Sequence, residues 1–128
     1  MHLPRKKAGS QKRKAKWISP SILNQLIPQI SITKKIKEQT KKVVIWGGAH
    51  CMFMSERIMS HDCVDVICIG DGEEALLELM NRIDVSRDYT DIPSLYVKDG
   101  TSWVKNPLGH LPNDLDKYPF PDRSLYYD

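Results

Sequence analysis

Hydrophobic residues along the chain form short runs that alternate with segments of helical periodicity. Residues 43–46 are Val-Val-Ile-Trp, residues 64–69 are Val-Asp-Val-Ile-Cys-Ile, and both runs are followed by glycine. Short runs rich in β-branched residues are typical of parallel strands that are buried on both faces of a sheet. The pattern therefore predicts two buried strands, and residues 17–20 resemble a further short strand that enters a loop.

The clearest helical stripe lies in residues 73–83, where Glu73 and Glu74 occupy the first turn and complement the positive end of a helix. Its apolar positions recur every three or four residues: Leu76, Leu79, Met80 and Ile83. Residues 53–60 predict a second, shorter helix with Ser55 as its N-cap. A helix is thus expected after each of the two strands.

A third helical segment precedes the strands, within residues 21–42. Pro28 breaks or restarts this helix, and Ile32 and Ile36 then share one face. We expect its exposed side to carry lysines: Lys34, Lys35, Lys37 and Lys41.

The C-terminal third has a different pattern. Residues 95–98 and 101–104 flank Asp99-Gly100, a pair that favours a tight hairpin turn. From Pro107 onward, repeated prolines predict an extended arm. The alternation of helices and strands before this region predicts an α/β fold with a doubly wound, parallel sheet, to which a β-hairpin and the C-terminal arm are added.

Charge divides the chain into a basic head and an acidic body. Residues 1–42 hold 12 lysines and arginines but a single acidic residue, whereas residues 43–128 hold 7 basic and 15 acidic residues. Residues 1–16 are almost devoid of apolar side chains, which predicts a disordered basic head. Such a head could contact nucleic acid through phosphates, but no aromatic residue precedes Trp17 to stack on bases, so a solvated tail is favoured.

Other bulk features exclude several classes of protein. No apolar run is long enough for a membrane helix, and the basic N-terminus lacks the apolar core of a secretory signal. Three cysteines, Cys51, Cys63 and Cys68, fit neither a disulfide framework nor a zinc site, so we expect a reduced, cytoplasmic protein. They also lack the Cys-x-x-x-Cys-x-x-Cys spacing that holds an iron–sulfur cluster in radical-SAM enzymes.

Two glycine-rich turns are the candidates for binding chemistry: Gly47-Gly48-Ala49-His50 and Gly70-Asp71-Gly72-Glu73. In open α/β sheets, ligands bind beyond the carboxyl ends of the strands, and glycines there let the backbone approach a ligand closely. Two plainer interpretations stay open, namely that the glycines only make tight turns and that His50 faces solvent. Gly70-x-Gly72-x-x-Ala75 also resembles a dinucleotide fingerprint, but three carboxylates in this turn would repel a pyrophosphate.

Four segments taken in order resemble the cobalamin (B12)-binding domain of cobalamin-dependent radical-SAM proteins. They are VVIWGGAH, VDVICIGDGEEALLELM, DIPSLYVKDGTSWVKNP and LPNDLDKYPFPDRSLYY, and the resemblance spans residues 18–128. It implies a partial Rossmann-like (flavodoxin-like) B12-binding domain over residues 17–86, followed by a hairpin and a connector over residues 87–128. It also implies the following cobalamin-binding residues: Ser19, Ser21, Gly47, Gly48, His50, Gly70, Gly72 and Glu73.

The same resemblance implies what the chain lacks. About two strand-helix units of the family's domain are missing before residue 17, no Asp-x-His-x-x-Gly motif offers a histidine to cobalt, and the catalytic barrel would begin beyond Asp128. We therefore expect a fragment, truncated at both ends, that holds cobalamin for methyl transfer or a related radical reaction. The [4Fe-4S] cluster and S-adenosylmethionine would belong to a separate radical-SAM domain chain, without which this chain would not be catalytic.

Three alternatives stay open beside this hypothesis. The chain could be a small interaction module whose basic head contacts nucleic acid, or a non-functional gene remnant. A nucleotide-dependent oxidoreductase is the least favoured of the three, because of the carboxylates in the second glycine turn.

Overall fold

The computed structural model describes residues 15–18, 26–111 and 113–126. Within them the chain forms one five-stranded sheet with the strands in sequence order, three helices and a short 3-10 turn at Ser124–Tyr126. The strands are β1 Ala15–Ile18, β2 Val43–Trp46, β3 Val66–Cys68, β4 Leu95–Asp99 and β5 Ser102–Lys105. The helices are α1 Leu26–Thr40, α2 Ala49–Met59 and α3 Glu73–Asp84.

The sheet is parallel in its first half and antiparallel in its second. Strands β1, β2 and β3 are parallel to one another, whereas β4 is antiparallel to β3 and β5 is antiparallel to β4. The predicted α/β, Rossmann-like fold class is confirmed, and the predicted hairpin joins the same sheet. It does so because β4 alternates like its neighbour, with Leu95 and Val97 buried on the face opposite to Tyr96.

Helices cover both faces of the sheet and enclose two apolar layers. Helices α1 and α2 lie on one face, as expected for two successive crossovers that advance in the same direction across a parallel sheet. Their layer is formed by Ile30, Val44, Trp46, Cys51, Ile58, Cys63, Val64 and Ile67. Helix α3 covers the other face, and its layer is formed by Ile45, Val66, Cys68, Ala75, Leu79, Ile83, Ile92, Leu95 and Val97.

Helix α1 differs from its predicted orientation. It starts at Leu26, so Pro28 lies in the first turn, where its missing N–H breaks no helical hydrogen bond. The face shared by Ile32 and Ile36 was expected to lie away from the exposed lysines, but Ile32 is itself 55% exposed. Ile30 and Thr33 are the buried residues of this helix instead. Lys37 was expected on the exposed side, but it is half-buried and paired with an acidic residue of the sheet layer.

Helix α2 begins earlier than predicted. It starts at Ala49 with Gly48 as N-cap, so the prediction of a start at residue 53 with Ser55 as N-cap is wrong. The backbone is not helical at Met54, which divides α2 into two pieces, and the predicted start coincides with the second piece. The first piece escaped sequence analysis because burial against the sheet, not periodicity, stabilises it.

The remaining boundaries agree with the sequence to within a few residues. Helix α3 extends one residue beyond the predicted 73–83, and β3 is shorter than the predicted 64–69. In the hairpin Asp99 pairs with Ser102, so the turn is Gly100-Thr101 rather than Asp99-Gly100. Gly100 has φ +62°, as the first central residue of a type II′ turn requires.

At the N-terminus, β1 begins at Ala15, so the predicted boundary of the basic head at residue 16 falls inside a strand. Residues 1–14 of that head lie outside the described residues. No helix in the described part of the chain is long and apolar enough to cross a membrane.

Candidate cofactor site

Both candidate turns lie at the same edge of the sheet. Strands β2 and β3 are parallel neighbours, with Trp46 opposite Ile67, so the turns that follow them leave the sheet side by side. Gly47 and Gly48 lead into α2, and the segment from Gly70 to Gly72 leads into α3. Of the remaining predicted residues, Ser19 and Ser21 lie outside the described residues, and His50 and Glu73 are in the first turns of α2 and α3.

Two of these glycines have backbone conformations that other residues avoid. Gly48 has φ 101° and ψ 176°, a region that is essentially restricted to glycine, and Gly70 has φ +83°. A Cβ at Gly70 would meet Leu108 Cδ2 at 3.5 Å, an ordinary contact. Backbone conformation, and not lack of space, therefore requires glycine at position 70.

His50 does not face solvent. The residue is 6% exposed, and its Nε2 has no hydrogen-bond partner among the described residues. Trp46, the last residue of β2, is fully buried and its Nε1 is likewise unpartnered. Buried polar atoms are almost always satisfied in folded proteins, so these two nitrogens, on residues that flank the Gly47-Gly48 turn in the sequence, are exceptions.

The second turn is strongly acidic and borders a cavity of about 290 Å³. It is lined by four carboxylates together with apolar and polar residues: Asp71, Glu73, Glu74, Glu78, Ala75, Ile92, Pro93, Ser94, Gly109, His110 and Tyr118. Burial raises the pKa of the Cys68 thiol to about 11, and the nearby Glu73 and Asp71 carboxylates add to the increase. A negative potential of this kind opposes a pyrophosphate, as the sequence indicated, and favours ligand groups that donate hydrogen bonds.

The C-terminal arm closes one side of this edge, a feature that sequence analysis missed. Ser94 N–H donates to the Pro107 carbonyl at 2.8 Å, and Gly109 N–H donates to Ser94 Oγ at 2.8 Å. Further along, Glu74 Oε1 accepts hydrogen bonds from Lys117 Nζ at 2.5 Å and from Tyr118 Oη at 3.0 Å. Sequence analysis had no signal for these contacts, because they arise only when the antiparallel hairpin returns the chain to the carboxyl edge.

These contacts change the acidity of the groups involved. The pKa of Glu74 is lowered because Lys117 and Tyr118 donate hydrogen bonds to its carboxylate. In the same cluster, the Glu74 carboxylate raises the pKa of Lys117. The described part of the chain contains no group of three or more His, Cys, Asp or Glu side chains that could hold a metal ion.

The fold and the site together define a Rossmann-like α/β domain with a candidate cofactor site at the carboxyl edge of its sheet. No protein-family model matches the chain. It is 35% identical over 92 residues to the cobalamin-dependent radical SAM methyltransferase TokK of Streptomyces tokunonensis, covering 69% of this chain and 14% of that protein. It is 32% identical over 92 residues to the 2-(S-pantetheinyl)-carbapenam-3-carboxylate methyltransferase of Streptantibioticus cattleyicolor, with the same 69% and 14% coverage.

A third relative is an uncharacterized methyltransferase of Pyrococcus horikoshii, which is 30% identical over 95 residues, covering 73% of this chain and 20% of that protein. These homologues are methyltransferases, and the first of them is a cobalamin-dependent radical SAM methyltransferase. The chain spans only 14–20% of the length of the three proteins.

Two solved structures share the fold. The radical S-adenosylmethionine methyltransferase TsrM of Kitasatospora setae, with cobalamin and a [4Fe-4S] cluster bound, aligns with a TM-score of 0.63 at 21% identity, over 77% of this chain and 19% of that chain. The same enzyme with its tryptophan substrate and a SAM analog aligns with a TM-score of 0.60 at 22% identity, over 71% of this chain and 19% of that chain. At this level of identity, the likeness establishes the fold.

Proposed function

We propose that this chain is the cobalamin-binding segment of a cobalamin-dependent radical SAM methyltransferase system. The observation that carries the proposal is the pair of glycine turns at the carboxyl ends of adjacent parallel strands, in a chain 35% identical to part of such an enzyme. The chain would hold the corrinoid for methyl transfer, and a separate radical-SAM domain would supply the rest of the reaction.

The chemistry of the residues at this edge supports a corrinoid as the ligand. Gly47, Gly48, Gly70 and Gly72 carry no Cβ, so their backbone would lie close to a large, flat ligand. His50 Nε2 is buried without a partner and would hydrogen-bond a polar group of the ligand. The Glu73 carboxylate is exposed at the second turn and would accept hydrogen bonds from the amide side chains that surround a corrin ring.

Ser19 and Ser21 complete the proposed set of binding residues. Strand β1 runs parallel to β2, and its last residue, Ile18, pairs with Trp46 immediately before the Gly47-Gly48 turn. Ser19 and Ser21 follow β1 in the sequence and lie outside the described residues. Their role is carried over from the resemblance to cobalamin-binding domains.

This chain and the separate radical-SAM domain would hold different cofactors of the reaction. A bound corrinoid would supply a cobalt centre that carries the methyl group, while the [4Fe-4S] cluster and S-adenosylmethionine would be held by the separate radical-SAM domain. The glycine turns of this chain would hold the ligand close to the backbone, and His50 and Glu73 would fix its orientation.

We place the protein in the cytoplasm, a proposal supported by its three buried, free cysteines: Cys51, Cys63 and Cys68.

A titration of the full chain with hydroxocobalamin tests the proposal. Under anaerobic conditions, we expect a shift in the visible spectrum and co-elution of cobalamin with the protein on gel filtration. Absence of both would refute cobalamin binding by this chain.

A matched pair of glycine variants makes the test specific. Gly48→Ala and Gly100→Ala both place a side chain at a positive φ, 101° and 62° respectively. Gly100 lies in the hairpin turn, at the opposite end of the sheet from the two glycine turns. We expect Gly48→Ala to weaken cobalamin binding about tenfold, through loss of the close backbone approach, while Gly100→Ala binds like the unmodified chain. Equal weakening by both would indicate general destabilisation instead.

A further inference from the structure

A second cleft lies at the amino end of the sheet, the edge opposite to the two glycine turns. It has a volume of about 450 Å³ and lies between the start of β2 and the segment that follows α3. Its lining comprises three cations, two hydroxyl groups and two aliphatic side chains: Lys41, Lys42, Arg87, Ser86, Tyr89, Val43 and Ile83. We call it the basic cleft, because no carboxylate among the described residues lines it.

The lining residues of the basic cleft differ in exposure. Ile83 is buried and Val43 and Tyr89 are half-buried, whereas Lys41 and Arg87 are exposed. Val43 and Tyr89 pack against the apolar layer beneath α3, to which Ile83 belongs. A ligand in the cleft would therefore contact apolar surface as well as positive charge.

The polar side chains of the basic cleft are not used by the fold. Other cations in the described part of the chain form ion pairs: Lys37, Arg82, Lys98, Lys105 and Lys117. Within the same residues, no hydrogen bond or ion pair engages the polar side chains that line the cleft: Lys41, Lys42, Ser86, Arg87 and Tyr89. A group of cations without internal partners attracts an anion from outside.

The carboxylates near the basic cleft do not neutralise it. Burial raises the pKa of Tyr89, and the charges of Asp65 and Asp88 add to the increase. Arg82 lowers the pKa of Asp91, and Arg87 adds to this effect. Each of these carboxylates has a partner outside the cleft, namely Lys37 for Asp65, Arg82 for Asp91 and Thr90 for Asp88. The positive charge of the cleft is therefore left for a ligand.

Backbone conformation is a second, independent feature of the same cleft. Lys41 and Ser86 have φ 54° and 55°, just after α1 and α3 end. Glycine is the usual residue at such a position, because other residues are disfavoured in the left-handed region. Residues in strained conformations are concentrated at functional sites, and both of these line the basic cleft.

We propose that the basic cleft binds an organic phosphate, a small molecule that carries a phosphate group next to an apolar portion. Lysine, arginine and hydroxyl groups donate hydrogen bonds to phosphate oxygens, and three positive charges match a dianion better than a carboxylate. Val43 and Ile83 would contact the apolar portion. A volume of about 450 Å³ is typical of sites for small molecules.

Phenyl phosphate combines both parts of such a ligand and serves as the probe. In the 15N-labelled full chain, we expect saturable shifts of the amide signals of Ser86, Arg87 and Tyr89, with the Gly100 signal of the hairpin unchanged. Inorganic phosphate should bind about tenfold more weakly, because it lacks the apolar contact, and phenol should cause no shift. Absence of saturable shifts with phenyl phosphate, or equal affinity for inorganic phosphate, would overturn the proposal.

Lys41→Gly separates binding from folding. It removes one cation and relieves the positive φ, so we expect phenyl phosphate to bind about tenfold more weakly while the urea midpoint does not fall. Lys42→Met and Arg87→Met should weaken binding to a similar extent. Lys35→Met is the matched control, since Lys35 is an exposed lysine of α1 outside the cleft. Equal weakening by Lys35→Met would show that net charge binds the probe, and would overturn the site.

The basic cleft and the proposed cofactor site can fail separately, because they lie at opposite ends of the same strands. Saturating phenyl phosphate should leave the hydroxocobalamin titration unchanged, and Lys41→Gly should bind cobalamin like the unmodified chain. Binding of phenyl phosphate without cobalamin binding would support the cleft and refute the proposed function. Displacement of phenyl phosphate by cobalamin would overturn the cleft as a separate site.

Discussion

Lys37 Nζ lies 2.6 Å from Asp65 Oδ2, which ties α1 to the segment that leads into β3. The same carboxylate oxygen accepts a hydrogen bond from Val44 N–H at 2.7 Å, and Asp65 N–H donates to the Val44 carbonyl at 3.0 Å. The Asp65 carbonyl in turn accepts from Lys98 N–H of β4 at 2.8 Å. One residue therefore connects a helix and three strands at the amino end of the parallel half of the sheet.

Removal of the Asp65 carboxylate should destabilise the fold substantially. Asp65→Ala leaves the N–H of Val44, a fully buried residue, without its side-chain acceptor, at a cost of about 2 kcal/mol in the free energy of unfolding. Asp65→Asn keeps an acceptor oxygen and should cost about half as much, and Lys37→Met, which keeps the apolar stem, should cost less than about 1 kcal/mol. Urea unfolding measures all three, and an unchanged midpoint for Asp65→Ala would contradict the connecting role of this residue.

Backbone conformation and side-chain space can be tested separately at two glycines. Gly70→Ala should lower the free energy of unfolding by about 1 kcal/mol because φ is +83°. The new Cβ itself would make only an ordinary contact with Leu108. Gly70→Asn should be milder, since asparagine tolerates the left-handed region better than alanine does.

Gly109 provides the converse case. A Cβ at this position would meet Ser94 Oγ at 3.3 Å and Pro93 Cβ at 3.4 Å, and no positive φ is involved. Gly109→Ala should therefore disturb the hydrogen bond from Gly109 N–H to Ser94 Oγ and loosen the arm locally. Hydrogen exchange of the Gly109 amide measures this effect, and unchanged protection in the variant would show that the arm accommodates the methyl group.

Buried thiols should make the fold sensitive to alkaline pH. Burial raises the pKa of Cys51 to about 12 and that of Cys68 to about 11, from the ordinary value of 9.0. A pKa that is higher in the folded than in the unfolded state stabilises the fold fully below pH 9, and this contribution is lost as pH rises towards 11–12. The urea midpoint should therefore fall above pH 9, and the fall should be shallower in the Cys51→Ala, Cys68→Ala double variant.

The same burial predicts chemical inertness. At pH 8 a thiol-specific reagent should leave Cys51, Cys63 and Cys68 of the folded chain unmodified, because all three are buried and their pKa values are raised. All three should react in denaturant. Rapid modification of any of them in the native state would show that the apolar layers open readily.

The C-terminal arm should detach from α3 when Glu74 is neutralised. The lowered pKa of Glu74 means that its contacts with Lys117 and Tyr118 are present at neutral pH and are lost as pH falls below the ordinary value of 4.5. Glu74→Gln should mimic the acidic state at pH 7. Hydrogen exchange or limited proteolysis within residues 113–126 measures the release, and we expect no change in global stability because the contact is exposed.

High ionic strength provides a control for the role of the Glu74–Lys117 ion pair in holding the C-terminal arm. An exposed ion pair is screened at high ionic strength, so salt should accelerate arm release in the unmodified chain and have little effect in Glu74→Gln. Equal salt dependence in both proteins would assign the arm's position to Ser94, Pro107 and Gly109 instead of Glu74.

The sequence predicted those parts of the fold in which local chemistry and burial agree. Strand β2 and helix α3 were predicted within one residue, because a β-branched run ended by glycine and an acid-capped apolar stripe are each unambiguous. The start of α2 and the inward face of α1 were wrong. In both cases contact with the sheet overrides the local signal. His50 and Cys51 are buried at the start of α2, and in α1 Thr33 is buried whereas Ile32 is exposed.

In the candidate site, too, the sequence determined some features and only the tertiary structure decided the others. The sequence by itself determined both glycine turns, the acidity of the second turn and the resemblance to cobalamin-binding domains, because these are properties of residue type and order. Only the tertiary structure decided that the two turns are neighbours, that Trp46 and His50 are buried without partners, and that the arm returns to Ser94 and Glu74. The physical reason is that sheet register and burial arise from contacts between residues that are distant in sequence, which no local pattern encodes.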